Sequence, residues 1–151
     1  MKDKIPTVKF VKIHKDAQVP KYETSGASGM DLCICERVEL KPGERKTVTT
    51  GLKIKIEDGF EGQVRPRSGN AAKKGITVLN TPGTIDMDYD FGELKVILYN
   101  SGTETVTFMC PDRIAQLVIS PVIQAKTIEL TEDDIVVKSE RGGAGFGSTG
   151  L

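Results

Sequence analysis

The chain has 151 residues, 38% of them apolar and 28% charged, with 21 Lys plus Arg against 21 Asp plus Glu. That length suits one domain with a sizeable buried core, and that composition excludes a disordered chain. Zero net charge weighs against a general nucleic-acid binder. With no long apolar run and no charged-then-apolar leader, a membrane or secreted protein is not expected, and the cytoplasm (or the nucleus or interior of a host cell) is.

Along the chain, short apolar-alternating runs recur between turn signals. Val8 to Ile13 alternates imperfectly. His14 is the single histidine and lies in a charged stretch, so serine- or cysteine-histidine catalysis would have to route through one surface side chain. Cys33, Cys35 and Cys110 are odd in number and read as reduced structural thiols. A zinc site would need all three and His14. Lys41-Pro42-Gly43-Glu44 reads as a turn and Thr47 to Thr50 as a β-branched strand. Leu52-Lys53-Ile54-Lys55-Ile56 alternates cleanly, and Glu57-Asp58-Gly59 turns the chain again. One short helix is expected from Ser68, as its cap, to a left-handed Gly75. Asn80-Thr81-Pro82-Gly83 and Asn100-Ser101-Gly102 read as turns, Leu94 to Tyr99 and Ile114 to Ile119 as more buried strands, and Thr103 to Thr107 as a β-branched strand. This spacing indicates an all-β sandwich, jelly roll or barrel. From Arg141 the chain reads Arg-Gly-Gly-Ala-Gly-Phe-Gly-Ser-Thr-Gly and cannot form a core. A single β domain over 1–138 and a glycine-rich arm over 139–151 are therefore expected.

Three segments carry chemistry. Of six arginines, Arg65, Arg67 and Arg141 lie beside Pro, Gly or Ser and Arg113 two residues after Pro111, all in irregular-looking stretches. Their planar forks suit a localised anion site, and surface ion pairs account for them equally well. Val64-Arg65-Pro66-Arg67-Ser68-Gly69 ends a strand and opens the helix, where free N–H groups, Arg67 and the Ser68 hydroxyl would face an anion. In Gly83 to Asp90, the carboxylates Asp86, Asp88 and Asp90 stand on alternate residues. If extended they share one face, where one is a candidate general base, unless the segment is simply a solvated acidic hairpin. The tail glycines allow close approach to an anion, but no Gly-Lys-Ser/Thr and no helix follow, so it is not a P-loop.

In order, these segments resemble the five motifs of the trimeric deoxyuridine triphosphatases (dUTPases). The motifs are Ala27-Ser28-Gly29-Met30-Asp31-Leu32, then Arg65 to Gly69, Asn80 to Tyr89, Asp112 to Leu117 and Arg141 to Gly150. The resemblance spans nearly the whole chain and turns the arginines toward the anion-site reading. Asp90-Phe91 stand between Tyr89 and Gly92-Glu93, where the family usually has a single arginine. Asn70 stands where a leucine is common.

The resemblance implies a jelly-roll-like β-barrel with one short helix, assembled as a homotrimer. Each active site would take motifs from three subunits, with the arm closing over a neighbour's site as a lid. The substrate would be dUTP and the cofactor magnesium, with no nucleic-acid or membrane partner. Asp86 would activate the attacking water, and Arg67, Ser68, the Gly69 N–H, Gln116 and Arg141 would stabilise the leaving pyrophosphate. Asp31 would reach the magnesium through water. Asn80 and the hairpin backbone would read uracil, and Tyr89 would pack beneath the deoxyribose. Phe146 would stack on the base, with Gly147, Ser148 and Thr149 completing the substrate contacts. A deoxycytidine triphosphate deaminase of the same fold would lack such a complete stacking tail, and the complete catalytic constellation does not suggest a non-catalytic dUTP sensor. A plain jelly-roll structural protein would not require Asp86, Arg67, Gln116 and the tail to co-occur in order.

Overall fold

Alternation of buried and exposed side chains builds most strands of the computed structural model, which describes residues 5–144. In chain order these residues form β1 (Val8–Lys12), β2 (Gly29–Cys33), β3 (Val38–Leu40), β4 (Arg45–Ile56) and β5 (Phe60–Arg65). The helix α1 (Ser68–Lys74) follows, then β6 (Ile76–Val78), β7 (Gly83–Ile85), β8 (Gly92–Asn100), β9 (Val106–Phe108), β10 (Arg113–Pro121) and a 3-10 turn at Glu132–Asp134. One sheet runs β1-β4-β8-β6, a second β2-β10-β5-β7, and β3 pairs with β9 in a two-stranded ribbon. Every pairing is antiparallel, yet no two paired strands are consecutive in the chain, so each connection crosses between sheets or over other strands. The architecture is mostly β with one short α-helix, as expected.

A single apolar cluster takes Ile54, Ile56, Leu94, Val96 and Leu98 from the first sheet and Met30, Leu32, Val64 and Leu117 from the second. The buried faces of the two sheets therefore meet in one core, where each fully buried aliphatic side chain contributes roughly 1.5–3 kcal/mol.

The two strands expected over Thr47–Thr50 and Leu52–Ile56 are one strand, β4, whose pairing with β8 shifts register between Thr49 and Lys53. Gly51 sits in this bulge at φ 69°, and a Cβ there would come within 2.7 Å of the His14 Cβ and 3.0 Å of the Cys35 Sγ. Only glycine satisfies both the left-handed backbone and the close approach. The strand expected over Thr103–Thr107 begins later, at Val106. The side chain of the buried Asn100 holds the intervening residues in a turn, accepting from the Gly102 N–H (2.9 Å) and donating to the Glu104 carbonyl (2.8 Å).

Gly75 ends α1 in the left-handed conformation, as expected. The start differs: Arg67 occupies the cap position without a side-chain cap bond, and Ser68 is the first helical residue. Two tertiary contacts hold this short helix. Asn70, 7% exposed, donates through Nδ2 to the Arg113 carbonyl (3.0 Å), and the Lys74 ammonium lies 4.9 Å from the Phe108 ring centroid. All three cysteines are free; Cys35 is buried, while Cys33 and Cys110 are half-buried.

Beyond β10, Ile123, Ile128, Leu130, Ile135, Val136 and Val137 are 62–87% exposed. Isolated exposed apolar side chains are ordinary, and six along one stretch make this the most apolar exposed segment after β10. No helix among the described residues is long and apolar enough to cross a membrane.

Asn70→Ala removes the side-chain tie between α1 and β10 and should cost about 1–3 kcal/mol, read as a lower denaturant midpoint at unchanged slope. A variant as stable as the parent would show that α1 is held by packing alone.

Candidate active site

Pairing on both edges of β10 brings the second and fourth motifs to the first. Gln116 stands opposite Asp31 of β2 on one side and Arg65 of β5 on the other. Between Arg113 and Ala115 the register with β2 shifts by one residue, and Ile114 and Ala115 are both buried. Residues three apart on a regular strand face opposite ways. This bulge returns Arg113 and Gln116 to the same, outward face. Arg113 Nη1 donates to Asp31 Oδ2 (3.3 Å) and Arg67 Nε donates to Asp31 Oδ1 (2.9 Å). Gln116 Nε2 donates to the Pro66 carbonyl (2.9 Å).

Two guanidinium groups share one carboxylate here, so the cluster keeps surplus positive charge beside the exposed Ser68 and Gly69. That is the electrostatics of an anion site. Arg113, expected only as one of several loop arginines, is the second partner of Asp31; without the bulge its sequence position does not reveal this. Burial pushes the nearby Cys33 thiol up from its ordinary value, and the Asp31 carboxylate adds to this, against Arg113 and Arg67. Cys33 is thereby kept as a neutral thiol, which suits a structural role.

The third motif forms a separate cleft of about 300 Å³, lined by Asn80, Gly83, Asp86, Tyr89, Val96 and Ile97 among others. It is positioned by β7, whose Gly83 stands opposite Val64 of β5. Asp86, Asp88 and Asp90 do not share a strand face, contrary to the extended reading. β7 ends at Ile85, and the chain then turns, with Tyr89 N–H donating to the Asp86 carbonyl (3.1 Å). Asp90 swings to Lys55 (3.4 Å), and Phe91 adopts a left-handed φ of 54°. The turn relieves the mutual repulsion that alignment would impose. The Tyr89 ring lies directly on Gly92, leaving no room for a Cβ there, and its hydroxyl donates to the Glu93 carbonyl (2.9 Å).

No hydrogen bond or ion pair among the described residues joins the Asp31–Arg67–Arg113–Gln116 cluster to Asn80, Asp86 or Tyr89. Arg141 is exposed and donates through Nε to the Ala144 carbonyl (2.8 Å). Phe146, Gly147, Ser148 and Thr149 lie outside the described residues. Among the described residues, no group of three or more His, Cys, Asp or Glu side chains is arranged to hold a metal.

Glu93 at the hairpin exit accepts from the Thr49 hydroxyl (2.6 Å) and pairs with Lys95 (3.1 Å). The Thr49 hydrogen bond, followed by the Lys95 ammonium, holds its carboxyl below the ordinary value of 4.5. A depressed folded value means the stabilisation is fully present above the unfolded value and is lost as pH falls through the folded one. Glu93→Gln should therefore lower the thermal midpoint at pH 7, with the gap to the parent closing as pH drops below about 4. A gap independent of pH in a thermal melt series would contradict this.

A model of the dUTPase family matches residues 15–150. A protein of Nautilia profundicola named deoxyuridine 5'-triphosphate nucleotidohydrolase is 53% identical over 95% of this chain and 98% of its own length. One of the same name from Anaeromyxobacter sp. is 56% identical over 88% of each. Among solved structures, a dUTPase variant of Staphylococcus bacteriophage 80alpha with dUpNHpp superposes with a TM-score of 0.85 at 26% identity. It covers 96% of this chain and 99% of its own. The five motif segments quoted from the sequence all fall within the matched span, and the chain belongs to the dUTPase family.

Proposed function

We propose that this protein is a dUTP diphosphatase. It hydrolyses dUTP to dUMP and pyrophosphate, lowering dUTP and supplying dUMP for thymidylate synthesis. The observation that carries this reading is the division of the chain's chemistry into two unconnected half-sites. One is a cation-rich cluster around Asp31, the other a small cleft with Asn80, Asp86 and Tyr89. The first suits a polyphosphate and the second a base and sugar with a carboxylate nearby. A site completed between subunits unites them, which supports a homotrimer of jelly-roll-like subunits in which residues 139–151 close over a neighbour. The exposed apolar stretch after β10 supports the same assembly, as does the absence of any hydrogen bond or ion pair from Arg141 to either half-site among the described residues.

In this mechanism Asp86 accepts a proton from water as its oxygen attacks the α-phosphorus, and the bond to the bridging oxygen of the pyrophosphate breaks. Asp86 is exposed at the end of β7, so water reaches it freely. Charge builds on the departing pyrophosphate. Arg67, the Ser68 hydroxyl, the Gly69 N–H, the Gln116 amide and Arg141 stabilise it. Gln116 spends one N–H on Pro66, which fixes the amide and leaves the second N–H for the phosphate. Asn80 and the hairpin backbone read uracil, and Tyr89, fixed by its hydroxyl on Glu93 and its ring on Gly92, excludes a 2′-hydroxyl. Phe146, Gly147, Ser148 and Thr149 complete the substrate contacts from the arm.

Magnesium fits these residues as a substrate-borne ion. The one carboxylate in the cation-rich cluster, Asp31, already accepts from two guanidinium groups, which suits contact through water with a hard cation held mainly by phosphate oxygens. When bound, the ion supplies charge neutralisation to the triphosphate.

Purified protein with magnesium should release pyrophosphate from dUTP and from no other deoxynucleoside triphosphate. Ammonia from dCTP would identify a deaminase of the same fold instead. Asp86→Asn should keep dUTP binding and lose turnover by roughly 10²–10⁴-fold, and wild-type turnover would remove Asp86 as the base. Deleting residues 139–151 should collapse turnover while the trimer persists in sedimentation. A monomer would mean that the arm holds the subunits together.

A further inference from the structure

We infer that Lys55 and Asp90 form a positioning pair that clamps the turn between Asp86 and Tyr89, setting both the presentation of the base and the fit of the sugar. The inference rests on the dUTP reading of this cleft. Lys55 lies on β4 and Asp90 on the turn before β8, so the pair joins an element of the rigid sheet to an irregular segment. The Lys55 ammonium donates to the Met87 carbonyl (3.2 Å) and pairs with Asp90 Oδ1 (3.4 Å). One side chain thereby grips the turn just after Asp86 and just after Tyr89.

The turn needs such a grip. Few backbone bonds hold it: Tyr89 N–H to the Asp86 carbonyl, Asp90 N–H to the Asp88 carbonyl (2.8 Å), and a long bond from the Gly92 N–H to the Tyr89 carbonyl (3.5 Å). Phe91 is the one non-glycine residue with positive φ among the described residues, a conformation that relaxes unless its neighbours hold it. Asp90 precedes it directly. With Asp90 held to β4, the Phe91 backbone stays left-handed, Gly92 stays under the Tyr89 ring, and the Tyr89 hydroxyl stays on the Glu93 carbonyl. Lys55 is less exposed than Asp90 (29% against 67%), which makes it the fixed member of the pair. Lys9, opposite Lys55 on β1, and the carboxylates Glu57, Asp58, Glu61, Asp86 and Asp88 are the other charged groups around it.

The test compares Lys55→Met, Lys55→Arg and Asp90→Asn with the parent protein, reading pyrophosphate release from dUTP and from UTP. Lys55→Met should lower kcat for dUTP about tenfold, less than the roughly 100-fold that a full 1 Å misplacement costs. Its KM for dUTP should change little, and its preference for dUTP over UTP should fall, because Tyr89 no longer sits squarely under the sugar. Lys55→Arg should restore most of both. Asp90→Asn, nearly isosteric and exposed, should lose up to about fivefold, the worth of an exposed ion pair, and carries the test alone if Lys55→Met does not fold. Variants with the parent's kcat and the parent's preference would overturn the inference, as would equal losses on both substrates without rescue by arginine. A parent protein that releases nothing from dUTP would instead overturn the dUTP reading itself, before any variant is compared.

Discussion

The register of β10 is the constraint on which the cation-rich half-site depends. The strand is paired along both edges, to β2 and to β5, so it cannot slide without breaking two ladders and turning its buried face outward. The bulge at Ile114 is part of that register. It spends one residue to aim Arg113 and Gln116 the same way, across from Asp31. Asp31 then stands between two guanidinium groups contributed by β10 and the entry to α1, and the carboxylate fixes both forks ahead of any anion. Pre-orientation of this kind removes ordering cost from the binding step.

The second half-site obeys a different logic. Asn80 precedes β7, Asp86 and Tyr89 follow it in a turn, and of the strands that flank the turn short β7 belongs to the second sheet and β8 to the first. What the turn lacks in backbone bonds it takes from single long-range side-chain ties to β4: Lys55 to Met87 and Asp90, and Thr49 to Glu93. One half-site is held by the register of a central strand, and the other by the ladders of β7 and β8 on either side of a turn that a few polar contacts hold. The second is therefore the softer of the two, and small changes in charge nearby act on it more than on the first.

The strands were legible because apolar patterning reports burial directly: Leu52 to Ile56 by its alternation, Leu94 to Tyr99 and Ile114 to Ile119 by their apolar runs, all lie in strands of the two main sheets. Legibility failed where a side chain overrode local propensity. The β-branched run from Thr103 is turned rather than extended because Asn100 supplies the turn with its own hydrogen bonds. The alternate aspartates suggested a strand face, yet Lys55, far away in sequence, offers Asp90 a partner that an extended chain would not reach. In the site, the motif order pointed to Asp31, Arg67, Ser68, Gln116, Asn80, Asp86 and Tyr89. Which of them meet was not legible, since it follows from a one-residue bulge and from pairings between distant strands. The partnership of Arg113 with Asp31 and that of Asn70 with the Arg113 carbonyl are of the same kind.

Every strand of the two sheets is complete by Pro121, and the exposed apolar stretch begins at Ile123. During synthesis, the body of the protein therefore has all its pairing partners before the sticky segment leaves the ribosome. A nascent chain can settle its core first and present the apolar stretch only from a finished scaffold. The reverse order along the chain would expose Ile128, Leu130, Val136 and Val137 beside unpaired strand edges, the combination most prone to aggregate. Placing this stretch after the sheets lets the core form before the apolar stretch is presented.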